Sequence, residues 1–242
     1  MGVGGGNWWI KVPMRRELRK LSWTTPNVVL RLWIPAACSV FVIGFLISLV
    51  FFFQGRTAKL EDALISDLLS PDDNPRGYLF AAIATSACGL LLLPASALFD
   101  KGWGHLYRRW ALLGAWLYRI GLIATIVIGA STPFQVPYIP VHVRLAYLAF
   151  MSMAAGLAVS LCIAARLSTS ARVPLATLAA LQTGALLYLA YEFLGPNNFL
   201  GSRWFLAFCE WTLSALIAAG TAAVAAALNA VSNGAERRAG EL

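Results

Sequence analysis

Charge is scarce in this chain. Only 12% of its 242 residues are Asp, Glu, Lys or Arg, while 59% are hydrophobic. Soluble domains carry about 25% charged residues, so a soluble globular domain is excluded and the mean hydropathy of +0.70 is that of a membrane protein. Histidine is scarcer still, with His105 and His142 the whole supply. That leaves no HExxH pair and no histidine-rich cluster of the kind found in membrane desaturases or alkaline ceramidases. The two histidines also fall on opposite sides of the expected topology, which excludes a bis-histidine haem. The four cysteines, Cys38, Cys88, Cys162 and Cys209, sit singly in apolar runs without a CxxC pair and read as buried free thiols. No P-loop is present, and Gly2 to Gly6 is low-complexity sequence. Neither a cofactor nor a metal is expected.

What the chain has instead is apolar runs. Six follow one another: about Leu32 to Phe53, Tyr78 to Phe99 with Pro94 near its end, Trp110 to Ala130, Leu145 to Ala165, Pro174 to Leu194, and Trp204 to Leu228. Each is long enough to cross a hydrocarbon core of about 30 Å at 1.5 Å per helical residue. Strand alternation is absent, and a spanning segment must satisfy its own backbone, so helices are expected. The fold class is therefore all-α: a polytopic bundle of six transmembrane helices. The parts are a basic N-terminal segment at 1–31, the membrane domain at 32–230 and a tail at 231–242. The first run lacks a small-residue cleavage site and reads as a retained anchor.

The net charge of +8 does not point to nucleic acid, because the basic residues flank apolar spans and no nucleic-acid module is present. Thirteen of the nineteen lie on one side of the expected topology, including Lys11, Arg15, Arg16, Arg19, Lys20, Arg31, Lys101, Arg108 and Arg109. This bias places both termini in the cytoplasm. RRELRKLSW, near Trp8, Trp9 and Trp23, reads either as a stretch lying on the membrane surface or as a flexible basic tail.

The first outer loop, 54–77, is the acidic region, and its ISDLLSPDDNPRG is too rich in turn formers for one regular helix. The third loop, STPFQVPYIPVH, has three prolines and is expected to be stiff and extended. Small residues along the last helix (Ala215, Ala218, Ala219, Gly220, Ala222, Ala223) and at Ala154, Ala155 and Gly156 suit close helix approach in a compact bundle.

Five residues stand out chemically: Asp67, Arg119, His142, Glu192 and Glu210. Glu210 interrupts the last apolar run, and an intramembrane acid faces a bundle interior, a partner or a wet cavity. Asp67, His142, Glu192 and Glu210 fall at similar depth near the outer side, whereas Arg119 lies deeper and reads as a snorkelling or internally paired base. One reading of the outer group is a polar pocket for a lipid headgroup. The other is a structural network in which Glu210 bonds Trp211, Arg203 or an outer-loop amide.

Three separated stretches resemble one family. Ile65-Ser66-Asp67 precedes a proline turn and Leu79-Phe80, Val141-His142 precedes Leu145-Ala146, and Cys209-Glu210-Trp211-Thr212 sits early in the last run. Together, over about residues 33–230, they look like the Frag1/DRAM/Sfk1 family, which includes the membrane domain at the start of Cwh43-type proteins. The resemblance implies six helices, cytoplasmic termini and a role in membrane lipids, and it marks Ser66, Asp67, His142, Glu210 and Trp211. Val143 departs from members that carry an acid directly after the histidine. The expected function is lipid handling or lipid regulation in the cell (plasma) membrane. Membrane lipids are the expected partners, with membrane proteins as possible others. The alternatives are a lipid-remodelling enzyme using His142 with Glu210 or Asp67, and a small transporter, for which no internal repeat is evident.

Overall fold

The computed structural model describes residues 24–54, 64–103, 107–134, 138–194 and 203–240. The basic N-terminal stretch and His105 lie outside the described residues. Among the described residues seven α-helices make up the fold: α1 (Pro26–Phe53), α2 (Ile65–Leu69), α3 (Tyr78–Lys101), α4 (Arg108–Ser131), α5 (Tyr138–Leu167), α6 (Arg172–Leu194) and α7 (Arg203–Gly240). Among the described residues there is no strand. Five of the helices, α1, α3, α4, α5 and α7, are long and apolar enough to cross a membrane. The chain is thus a multi-pass integral membrane protein.

Helix boundaries follow from backbone chemistry. Pro26 opens α1 at a position that needs no N–H, and the Thr25 hydroxyl accepts from the Val28 N–H at 3.4 Å. Pro35 falls about two and a half turns later, where its ring would crowd the preceding carbonyls. The helix widens there into a π turn over Val29–Trp33, with the Ile34 N–H donating to the Val29 carbonyl. One expectation needs correction: the described parts of STPFQVPYIPVH are not extended, since Thr132–Phe134 forms a 3-10 turn and α5 is already helical at Tyr138, while 135–137 lie outside the described residues. Pro140 lies in the first turn of α5, where its missing N–H costs no helical bond. The last helix continues beyond the apolar run to Gly240, taking in most of the tail at 231–242.

The outer faces are apolar nearly all round. Leu46, Val50, Ile83, Trp116 and Ile123 are all exposed, as a lipid-facing surface requires. Inside, α4 and α5 pack most extensively. A Cβ on Gly156 would lie 2.6 Å from the Gly114 carbonyl oxygen and 2.7 Å from the Tyr118 nitrogen, so the two backbones touch where glycine allows it. The small residues of α7 serve differently. Its second half packs: Val224, Ala225 and Leu228 are buried, and Thr221 at mid-helix bonds the Tyr118 hydroxyl at 2.8 Å. In its first half Leu213 and Ile217 are buried and the Leu216 carbonyl accepts from the Gln182 amide, while Ala215 and Ala218 line a cavity.

Candidate functional site

The polar residues singled out in the sequence gather around α2, a five-residue helix at the end of the bundle where α3, α5 and α7 begin. So short a helix leaves all its terminal N–H and C=O groups without internal partners. Side chains from other elements supply them. At the N-terminus, one oxygen of the Glu210 carboxylate accepts from the Ile65 N–H at 2.7 Å and the Ser66 N–H at 3.3 Å. The other oxygen accepts from the Ser66 hydroxyl at 3.2 Å. Asp67 folds back to accept the Leu64 N–H at 3.2 Å. At the C-terminus the Ser48 hydroxyl donates to the Leu68 carbonyl at 3.1 Å. The Asn74 amide donates to the Ser48 carbonyl and hydroxyl at 3.1 and 2.8 Å, while its own oxygen takes the Gly77 N–H at 3.2 Å. Ile65, Leu68 and Leu69 are buried beneath this clamp.

The open question about Glu210 has a geometric answer. Its partners among the described residues are the amides and hydroxyl of α2, and it makes no hydrogen bond to His142. Hydrogen bonds to a charged acceptor are worth about 1.5–3 kcal/mol each, so this contact holds α2 onto α7. The indole of Trp211 lies edge-on to Phe45 at 6.0 Å, joining α7 to α1.

Two cavities flank this point. The larger, about 470 Å³, lies between α5, α6 and the first half of α7, and its rim includes the exposed Val143, Leu181 and Phe208. Gly184 faces it with no atom within 4 Å of where a Cβ would stand. The smaller, about 300 Å³, is lined from α1, α2, α3, α4, α5 and α7, and Trp211 belongs to its wall. Ser66, His142, Ala146, Phe150 and Glu210 line both. His142, at 3% exposed, therefore faces the same space as Glu210 and not the far side of the bundle. Below that shared wall, both cavities are lined mainly by aliphatic and aromatic side chains.

Not every candidate joins the cluster. Arg119 is paired elsewhere, with Asp100 at 3.5 Å, the Ser96 hydroxyl at 3.2 Å and carbonyl at 3.3 Å, and the Trp116 ring 5.2 Å from its guanidinium. Glu192 belongs to α6, but its side chain lies outside the described residues, as does that of Arg203. Among the described residues no group of three metal-ligating side chains occurs. Sequence reasoning missed Ser48, Asn74 and Gly184. The only signals that could have found them are a hydroxyl within an apolar run for Ser48 and an amide among turn formers for Asn74.

No family model, no curated protein and no solved structure matches this chain. The likeness to the Frag1/DRAM/Sfk1 family rests on the stretches quoted for it.

Proposed function

We propose that this chain is a lipid-handling or lipid-regulating membrane protein of the Frag1/DRAM/Sfk1 type, crossing the membrane six times with α6 as the remaining span. The distribution of basic residues supports cytoplasmic termini, which puts α2 and the two cavities toward the outer leaflet of the cell membrane. The observation that carries the reading is the pair of apolar cavities sharing a polar wall of Ser66, His142 and Glu210. A concave apolar site with a few convergent polar groups is the form a ligand pocket takes. A membrane lipid has matching chemistry: chains for the cavities and a headgroup for the wall. Asp67 would hold the loop, and Trp211 would pack an acyl chain.

The same geometry weighs against the enzymatic alternative. A catalytic dyad needs its orienting carboxylate within hydrogen-bond reach of the base, and Glu210 is committed to α2. The test is Gly184→Leu. It adds apolar bulk to the larger cavity's wall at a position where no atom lies within 4 Å of the new Cβ, and it raises helix propensity, so the protein should remain folded. In native mass spectrometry of gently solubilised protein, the wild type should carry a lipid that the variant lacks. Equal lipid on both would refute the pocket.

A further inference from the structure

The walls of the two cavities contain no Lys or Arg among the described residues. The neighbouring Arg144 is exposed and lines neither. The groups that would ordinarily receive an anion here, the paired N–H groups opening α2 and the Ser66 hydroxyl, already donate to Glu210. Asp67 adds a second carboxylate beside it, itself 7% exposed. A phosphate entering this wall would meet the Glu210 carboxylate with no Lys or Arg among the described lining residues to compensate, and a like-charge juxtaposition away from water is strongly unfavourable. Glu210 retains acceptor capacity on its second oxygen, which takes a single hydrogen bond. The wall therefore presents an acceptor to whatever occupies the cavities.

From this charge pattern, and resting on the reading of the cavities as a lipid pocket, we infer that the occupant is an uncharged amphiphile whose headgroup donates a hydroxyl to Glu210, and not a phosphate-bearing lipid. An ammonium headgroup has the opposite sign to the carboxylate. It is the weaker fit, because three protein donors already compensate Glu210 and the adjoining walls are apolar.

Three lipids with the same two oleoyl chains test this: dioleoylglycerol, dioleoyl phosphatidic acid and a dioleoyl tertiary-amine analogue. Each is titrated into delipidated full-length protein and followed by native mass spectrometry. Dioleoylglycerol is expected to bind at least about tenfold more tightly than the other two, consistent with a hydrogen bond to a charged acceptor. Glu210→Gln keeps one carbonyl oxygen for the α2 amides and turns the cavity-facing acceptor into a donor. It should narrow or reverse the preference over phosphatidic acid. Gly184→Leu should abolish binding of dioleoylglycerol without touching the polar wall. Phosphatidic acid or the amine binding as tightly as dioleoylglycerol, with Gly184→Leu still blocking it, overturns the headgroup inference and leaves the pocket standing. Binding that Gly184→Leu leaves unchanged overturns the pocket itself.

Discussion

Replacing Glu210 by alanine should release α2 from the bundle, and the size of the effect can be worked out. The carboxylate accepts one short bond of 2.7 Å and two longer ones of 3.3 and 3.2 Å. Counting the short one fully and the others at about half gives roughly 3–6 kcal/mol on the scale of bonds to charged acceptors. The cavities give water a route to the orphaned amides and recover part of this, leaving about 3 kcal/mol of local stability. Each 1.4 kcal/mol is a factor of ten, so the Ile65 and Ser66 amides should exchange hydrogen about a hundredfold faster. Glu210→Gln retains an oxygen for the amides and should accelerate them only about tenfold. The assay is hydrogen exchange by mass spectrometry on the peptide spanning 64–70, with the α4–α5 contact around Gly156 as an unchanged internal control. Exchange within about twofold of wild type in the alanine variant would mean that Glu210 does not hold α2, and the account of the clamp would fall.

Other predictions are briefer. Asn74→Ala strips the opposite end of α2 of its donor to Ser48 and its acceptor for Gly77, and should lower stability by about 2–4 kcal/mol in denaturant titrations of the purified protein. Gly156→Ala forces apart backbones that touch and should cost about 1–3 kcal/mol, whereas Gly184→Ala should be neutral or stabilising by up to about 1 kcal/mol. A double-mutant cycle of Arg119→Gln and Asp100→Asn should give a coupling of no more than about 1 kcal/mol, because both side chains are partly exposed. A lipid-binding phenotype for Arg119→Gln would contradict its placement away from the pocket.

Much of the architecture was legible because composition leaves few choices. An apolar run of about twenty residues has one stable conformation in a bilayer, and five such runs became helices long enough to span. Glu210 was visible for the same reason, as an acid in an apolar run that must find partners. Which partners was not legible. They are backbone amides 145 and 144 residues away, and an amide carries no sequence signature. The start of α5 was misread because Pro140 looks the same in an extended loop and in the first turn of a helix. The small residues of α7 were read as a packing surface throughout. Small side chains equally suit the edge of a void, and only the positions of the neighbouring helices distinguish the two.

The unequal packing of α7 makes the bundle mechanically lopsided. Where α4 and α5 meet at Gly156, backbone lies against backbone, and lateral compression finds nothing to squeeze. Around the first half of α7 the empty volume offers little resistance, so strain imposed by a thickening or tightening bilayer is taken up there.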